Sequence, residues 1–278
     1  MLLKFRLEMD VIIDQNSETA VIEFPRLTSH QPLGLGLANG GPSPPLHLRH
    51  GLARADLSKP NADAEGTRLL TYHERKRFMP MDSLLDLQGK WDRASRWYDL
   101  ATVALEAVVF RRLRSRLLKS AVGRVLEVAA GSGLNLAHYP GGLDITAVDL
   151  SPSMLIRARN RGARKAAVMD AQHLAFRDGS FDTVVSTLGT CTFPDPVEAL
   201  REMRRVCRPG GRILLLEHGR SNRPGIATWQ DRHAAKWAAH LGCWWNRDPL
   251  ENVRKAGLEP HAATCGFLGM VQVIQATV

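Results

Sequence analysis

Val125-Leu-Glu-Val-Ala-Ala-Gly-Ser-Gly133 is the most informative stretch of this 278-residue chain. It begins with strand-forming residues and ends in a turn that carries Gly131 and Gly133, before a segment that we predict to be helical. Glycines let the backbone approach a ligand without an intervening Cβ, and a helix start presents free N–H groups. Such a strand–turn–helix unit alone is a weak indication of a cofactor site. Whether it marks one depends on the residues that follow the neighbouring strands.

The chain after residue 91 alternates between short strand-forming runs and longer helical segments. We predict strands at residues 124–128, 144–148, 166–169, 181–187 and 212–217, followed by two closing strands. We predict helices at residues 99–119, 132–138, 151–162, 196–207, 227–241 and 249–256. This alternation is typical of a parallel sheet with helices on both faces, and therefore of an α/β fold.

The first 90 residues follow a different pattern. Residues 1–24 alternate weakly between apolar and polar positions and predict a strand pair, whereas residues 25–66 are rich in Pro, Gly and Asn without periodicity. We interpret the latter as an extended arm or linker. The predicted domains are therefore an irregular N-terminal extension over residues 1–90 and a folded domain over residues 91–278.

Charge is distributed unevenly along the chain. Residues 1–90 hold 11 basic and 11 acidic residues, so the net charge of +9 comes from residues 91–278, with 26 basic against 17 acidic. An attraction to phosphate or anionic lipid therefore belongs to the folded domain, which leaves RNA or an anionic membrane surface open as partners.

Cysteine spacing and apolar runs exclude several classes. The four cysteines are 16, 36 and 22 residues apart, which matches neither a CxxC metal pair nor a dense disulfide framework, so we expect a reducing compartment. We predict no membrane span, because no strongly apolar run reaches 18 residues. Five acidic residues among the first 23 argue against a transit peptide.

Polar residues follow the predicted strands at the edge where ligands bind in open α/β sheets. Asp149 ends the second strand and is suited to accept hydrogen bonds from a ribose diol. Asp170 and Ala171 end the third strand and suit the amino group and the ring face of an adenine. Thr187 ends the fourth strand, beside the crevice. The glycine turn and the three strand ends that carry these residues all lie at the same edge of the predicted sheet. Together these four features favour a cofactor site over solvated loops.

Four longer motifs carry a family resemblance. They are VLEVAAGSG at 125–133, AVDLSPSML at 147–155, MDAQHLAFRDGSFD at 169–182 and REMRRVCRPGGRILLLEHG at 201–219. The folded domain resembles a class I S-adenosylmethionine-dependent methyltransferase of the ubiquinone-biosynthesis C-methyltransferase type. LLLEHGRS at 214–221 and GCWWNRD at 242–248 are similar to mitochondrial methyltransferases related to the fungal oxidase-assembly suppressor, and more distantly to membrane-associated thiol methyltransferases.

The resemblance implies a Rossmann-like, seven-stranded, mostly parallel sheet that binds S-adenosylmethionine. The cofactor-binding residues that it implies are Tyr98, Glu127, Ala129, Gly131, Gly133, Asp149, Met154, Asp170, Ala171 and Thr187. Tyr98 is expected to close a helix over the cofactor, the two glycines to pass close to its methionine moiety, and Glu127 to orient the loop or the donor's amino group. Ala129 departs from the family, which usually has glycine there. A nicotinamide dehydrogenase is disfavoured because Leu136 stands where its third glycine would be.

Three candidate sites suggest chemistry beyond cofactor binding. His218, after the fifth strand, is our candidate general base, although it is at least as suited to bonding the backbone. Cys191 lies where cytosine methyltransferases keep a nucleophile, but small-pocket packing is favoured. His240 and Cys243 are one helical turn apart, yet two ligands without a third favour packing, so we predict no metal.

The acceptor is left open by these motifs. Four tryptophans in residues 229–245 suggest either an apolar acceptor, such as a quinone precursor, lipid or thiol, or simple core packing. An RNA methyltransferase is the second hypothesis. The third is a catalytically silent subunit that joins a larger protein complex through residues 1–90. The resemblance and the basic pI indicate a mitochondrial location; otherwise we expect a cytoplasmic one.

Overall fold

A computed structural model describes residues 11–13, 20–22 and 81–278, with side chains from residue 84 onward. All of these residues fall within one compact unit. Two short strands, β1 (Val11–Ile13) and β2 (Ala20–Ile22), pair antiparallel, as the alternation in residues 1–24 predicts. The predicted arm at residues 25–66 lies outside the described residues.

Seven strands form the main sheet. They are β3 (Arg124–Val128), β4 (Asp144–Asp149), β5 (Lys165–Val168), β6 (Phe181–Thr187), β7 (Cys207–His218), β8 (Pro260–Gly266) and β9 (Val271–Thr277). Their order across the sheet is β5-β4-β3-β6-β7-β9-β8. Strands β3 to β7 pair in parallel, and β9 is antiparallel to both β7 and β8. This confirms the predicted mostly parallel sheet of the Rossmann-like class I methyltransferase fold.

The strand order reverses beside β3. The chain proceeds from β3 to β4 and β5 on one side, then returns to add β6 on the other side of β3. A crevice opens at such a switch point, outside the carboxyl ends of the strands. The fold therefore places the loops after β3 and β6 at the mouth of one cleft.

Six α-helices are described. They are α1 (Met81–Leu105), α2 (Arg111–Leu118), α3 (Pro152–Asn160), α4 (Pro196–Val206), α5 (Pro224–Leu241) and α6 (Pro249–Lys255), with a π-helical turn at Glu106–Phe110 between α1 and α2. Three of them begin at a proline that follows a capping side chain, Ser151, Asp195 or Asp248, which accepts hydrogen bonds from N–H groups of the first turn. No helix in the described ranges combines the length and apolarity needed to cross a membrane.

Two predicted helices differ from the structure. The helix predicted at 99–119 begins at Met81, ten residues before the predicted domain boundary, and continues through the π-helical turn to Leu118. The helix predicted at 132–138 is wrong, because the structure has only a 3₁₀ turn there, at Leu136–His138. Gly131 and Gly133 both have positive φ, and Pro140 disfavours helix in the residue before it, so too few residues remain.

Apolar side chains cover both faces of the sheet. In β7, Ile213 and Leu215 pack into the core under α4 and α6, whereas Leu214 and Leu216 pack into the core under α2. This alternation follows from the two-residue period of a strand. A sheet buried on both faces leaves its strand ends as the place where polar groups meet a ligand.

Candidate functional site

A cleft of about 850 Å³ lies at the carboxyl ends of β3, β4, β5 and β6. Helix α1 contributes Leu84, Leu87, Trp91 and Tyr98 to the lining of the cleft. This helix therefore covers the carboxyl ends of the strands.

Eight of the ten predicted cofactor residues line this cleft. They are Tyr98, Ala129, Gly131, Asp149, Met154, Asp170, Ala171 and Thr187. The structure therefore brings together residues from four strand ends and from α1, over a sequence separation of 89 positions between Tyr98 and Thr187.

Asp149 joins two of the cleft loops. Its Oδ2 atom accepts a hydrogen bond from the Gly131 N–H at 2.8 Å, and its Oδ1 atom accepts one from the Ser151 N–H at 2.8 Å. Burial raises the pKa of this carboxyl to about 6. Each oxygen has a second lone pair, so Asp149 can still accept hydrogen bonds from a ligand.

Gly131 leaves space for a ligand. Its φ is +56°, and a Cβ built on it would meet no atom within 4 Å. The turn thus exposes backbone in the cleft, whereas any other residue would be strained in this conformation. Ala129 has a φ of +54°, which explains why glycine suits this position in the family.

Two predicted cofactor residues lie elsewhere. Gly133 packs against α3, where a Cβ would be 2.8 Å from the Ala158 Cα, and it lines a neighbouring groove. Glu127 is 1% exposed, beneath the cleft floor. Gly133 thus packs against α3, and its contact with the methionine moiety of the cofactor stays a prediction. Glu127 supports the loops around the cleft, which is one of the two roles expected of it.

A buried polar network supports the cleft floor around Glu127. This carboxyl accepts hydrogen bonds from Asn135 at 2.9 Å and from the Tyr139 hydroxyl at 3.0 Å, and burial raises its pKa to about 7. Arg114 donates to Glu106 at 2.8 Å and to Asn135 at 2.7 Å. Both Asn135 and Arg114 donate to the hydroxyl of Thr187. The network thus connects the loop after β3 with the end of β6.

The sequence interpretation missed Arg114 in this network, together with Glu106, Asn135 and Tyr139. The basic cluster at residues 111–116 predicts a solvated helix face, but Arg114 is 3% exposed. The spacing contained a signal, because Phe110, Leu117 and Leu118 are also buried and lie three or four residues from Arg114. Leu87 and Trp91 in the cleft were missed in the same way, since their four-residue spacing already indicates one helix face.

Helix α1 is tied to the far side of the cleft by polar contacts. The Asp99 carboxylate accepts hydrogen bonds from Ser132 at 2.6 Å and from Arg157 and Arg161 at 2.8 Å each. Gln88 donates to the Leu150 carbonyl at 2.8 Å. These partners belong to the loops after β3 and β4 and to α3, so they fix the position of α1 over the cleft.

The predicted catalytic candidates lie beside the cleft. The His218 Nε2 atom is 3.3 Å from the Cys243 Sγ atom, and Cys191 is 2% exposed. The cleft lining instead includes the neighbours of Cys191, namely Leu188, Gly189 and Thr192. This geometry gives no support to Cys191 as a nucleophile, and the base role of His218 stays a prediction.

Three of the four tryptophans of residues 229–245 form their own cluster. The rings of Trp237 and Trp245 stack with centroids 4.4 Å apart, and the Trp229 ring is 5.0 Å from Trp245. The cleft lining draws on Trp91 instead. The expectation that these four tryptophans surround an acceptor is therefore not supported by their placement.

The methyltransferase domain family matches residues 126–215. The chain is 34% identical over 145 residues to phosphatidylethanolamine N-methyltransferase of Cereibacter sphaeroides, covering 50% of this chain and 70% of that protein. It is 37% identical over 139 residues to demethylmenaquinone methyltransferase of Beutenbergia cavernae, covering 48% and 58%. It is 32% identical over 187 residues to the mitochondrial methyltransferase OMS1 of Saccharomyces cerevisiae, covering 58% and 40%.

A solved structure shows the same fold. Geranyl diphosphate C-methyltransferase from Streptomyces coelicolor superposes with a TM-score of 0.56 at 15% identity, covering 70% of this chain and 97% of that one. At this identity the likeness concerns the fold alone. The chain spans between 40% and 70% of the length of the three sequence relatives.

Proposed function

Because the chain belongs to the class I S-adenosylmethionine-dependent methyltransferases, we propose that it methylates an apolar or amphipathic small molecule, such as a lipid, a quinone precursor or a thiol. Its cofactor is S-adenosylmethionine, which supplies a methyl group on a sulfonium centre when bound. The proposal concerns the acceptor, and it rests on the chemistry of the two sides of the cleft.

The residues present fit this cofactor. Asp149 has a free lone pair on each oxygen for the ribose hydroxyls, and Gly131 leaves open space above the loop. Asp170 and Ala171 lie at the end of the neighbouring strand, where they would frame the adenine. The loops after β3, β4 and β5 are therefore assigned to the donor.

The proposal rests on the apolar lining of the cleft opposite the donor loops. The residues of α1 and of the loop after β6 that line the cleft are mainly apolar: Leu84, Leu87, Trp91, Leu188, Phe193 and Pro194. An acceptor that enters between them must desolvate, which favours molecules with apolar surface. Methyl transfer also benefits from water exclusion and from alignment of acceptor and donor.

Tyr98 limits the chemistry on the acceptor side. Burial raises the pKa of its phenol to about 12, so the hydroxyl stays protonated at neutral pH. It can donate a hydrogen bond that positions an acceptor, but it cannot remove a proton. Tyr98 therefore serves to position the acceptor, and removal of a proton from the acceptor falls to another group, for which His218 stays the candidate.

The relatives support the same acceptor class. Two of them are named for a phospholipid and for a demethylated menaquinone, both of which combine a reactive headgroup with long apolar parts. The similarity to the mitochondrial relative in yeast supports a mitochondrial location for this chain.

A second candidate, methylation of RNA, is favoured by one feature of the surface. A groove beside the cleft is lined by five cationic residues, Arg111, Arg112, Arg116, Lys119 and Arg161, and Leu134 lines both the groove and the cleft. A polyanion bound there would approach the donor site. Its binding would weaken steeply with salt, because phosphate contacts release counterions.

Calorimetric titration with S-adenosylmethionine and S-adenosylhomocysteine tests the donor site first. We expect Asp149→Ala to weaken binding by roughly 10- to 100-fold, since hydrogen bonds to a charged group contribute about 1.5–3 kcal/mol. Asp178→Ala is the matched control, because Asp178 is 81% exposed. Absence of binding by the wild-type chain would leave the silent-subunit hypothesis.

Transfer of labelled methyl groups then identifies the acceptor. The wild-type chain is incubated with separate lipid, quinone, thiol and RNA pools at low and high salt. Label in an apolar or thiol pool supports the proposal. Label confined to RNA, lost at high salt, would overturn it in favour of the second candidate.

A further inference from the structure

The cleft residues Leu188, Gly189 and Thr192 of the loop after β6 form what we call the acceptor wall. Three metal-ligating side chains meet beside it. Cys191 lies in the loop after β6, His218 ends β7, and Cys243 follows the end of α5. Their ligand atoms, two Sγ and one imidazole nitrogen, all lie within 4.8 Å of one another. Cys191 and Cys243 are 2% and 9% exposed. The sequence interpretation paired Cys243 with His240, but His240 is exposed and His218 takes its place.

The backbone fixes this meeting point. Gly242 ends α5 in the left-handed conformation, with a φ of +67°, and turns the chain toward the loop after β6. The Trp244 N–H then donates to the Cys191 carbonyl at 2.9 Å. The Arg247 guanidinium donates to the carbonyls of Thr190 at 3.1 Å and of Cys191 at 3.3 Å. The two cysteines are thus brought together by contacts that do not involve their sulfur atoms.

We propose that Cys191, His218 and Cys243 bind a zinc ion. With bond lengths of about 2.3 Å to sulfur and 2.0–2.1 Å to nitrogen, a tetrahedral ion separates its ligand atoms by roughly 3.6–3.8 Å. The Cys243 Sγ to His218 Nε2 distance is 3.3 Å, so binding requires shifts of only a few tenths of an ångström at this pair. Soft thiolates with an imidazole select zinc over magnesium or calcium.

Charge balance also suits a buried zinc site. Two thiolates and one neutral imidazole neutralise a divalent ion, so no net charge is placed in the interior. Binding displaces one proton from each cysteine thiol, and these protons leave to solvent. Three protein ligands leave a fourth tetrahedral position for water or a soft small ligand.

The site would act on the acceptor wall. Leu188, Gly189 and Thr192 line the cleft and flank Cys191 in the chain. An ion that links Cys191 to β7 and to the end of α5 would therefore hold this wall in place. This inference does not depend on which acceptor the enzyme uses.

Cobalt titration tests the site in the folded wild-type chain. The full chain, reduced and freed of metal, is titrated with Co²⁺. We expect one equivalent to bind with the intense near-ultraviolet charge-transfer absorption of cobalt–thiolate bonds, and Zn²⁺ to abolish this absorption. A titration without this absorption would overturn the proposal whether or not any variant folds.

Variants then assign the ligands. Cys191→Ser and Cys243→Ser are each expected to weaken Co²⁺ binding at least 100-fold and to reduce the charge-transfer intensity. Cys265→Ser is the matched control, because Cys265 is exposed on β8 and should bind metal as the wild type does. Unchanged cobalt spectra in both site variants would overturn the assignment. So would a Cys191–Cys243 disulfide that persists in protein prepared with excess zinc and reductant.

Discussion

Gly133 provides a test of how the donor loop is built, because a second glycine, Gly142, has nearly the same positive φ. Gly133 has a φ of +82° and Gly142 a φ of +84°. A Cβ on Gly133 would lie 2.8 Å from the Ala158 Cα and 3.0 Å from its Cβ, whereas a Cβ on Gly142 would meet no atom within 4 Å. Substitution by alanine therefore strains both backbones equally and adds a steric conflict only at Gly133.

The two variants separate these energies. Left-handed backbone costs an L-residue about 1–2 kcal/mol, and this is the loss expected for Gly142→Ala. Overpacking against α3 adds about 1–3 kcal/mol, so Gly133→Ala should lose roughly 2–5 kcal/mol. The change in unfolded-chain entropy is the same in both variants and cancels in their difference.

Urea unfolding of both variants, followed by circular dichroism, measures this difference. A lower midpoint for Gly133→Ala with an unchanged slope would locate the loss in the native state. Equal free energies of unfolding for the two variants would refute the close approach of this loop to α3.

Three further perturbations address the buried network and the helix over the cleft. Glu127 binds its proton more tightly in the folded than in the unfolded chain, so the free energy of unfolding should fall as pH rises from about 4.5 to about 7. The pKa shift corresponds to about 3 kcal/mol, and urea unfolding of Glu127→Gln across this range should lack that part of the decrease. Arg114→Ala should cost about 3–5 kcal/mol in urea unfolding by leaving its buried partners unpaired, against less than about 0.5 kcal/mol for the exposed Arg112→Ala. Asp99→Ala should weaken S-adenosylmethionine binding by about 1 kcal/mol, roughly fivefold by calorimetry, because α1 loses partners on α3, and unchanged affinity would contradict a closing role for this helix.

Strands β3 to β6 were predictable because they are short, have buried residues and are bounded by turn residues. Strand β6 was predicted at its observed bounds, and β5 was displaced by one residue. The helix predicted at 151–162 starts at the observed N-cap of α3, where the Ser151 side chain accepts a hydrogen bond from the first turn and Pro152 follows. In these segments local sequence preference and tertiary packing agree, so the pattern alone is sufficient.

Predictions failed where a polar side chain is used inside the protein. Asn135 is 1% exposed and bonds Glu127, Arg114 and Thr187, so the segment after Gly133 serves this network rather than a helix. The partners of Asn135 are up to 52 residues away in sequence. No local pattern identifies these partners. The spacing of Arg114 from Phe110, Leu117 and Leu118 indicates that Arg114 is buried, but it does not indicate what Arg114 bonds.

Two carboxylates build the two sides of the site in the same way. Asp149 ends β4 and accepts a hydrogen bond from Gly131 in the loop after β3. Glu217, near the end of β7, accepts hydrogen bonds from the Ser186 hydroxyl at 2.9 Å and the Thr190 N–H at 3.1 Å. Each carboxylate thus fixes the loop of the neighbouring strand, one loop on the donor side and one on the acceptor side. Because Asp149 serves both loop and ligand, its loss removes preorganisation together with a contact, whereas loss of Glu217 would disturb only the acceptor wall.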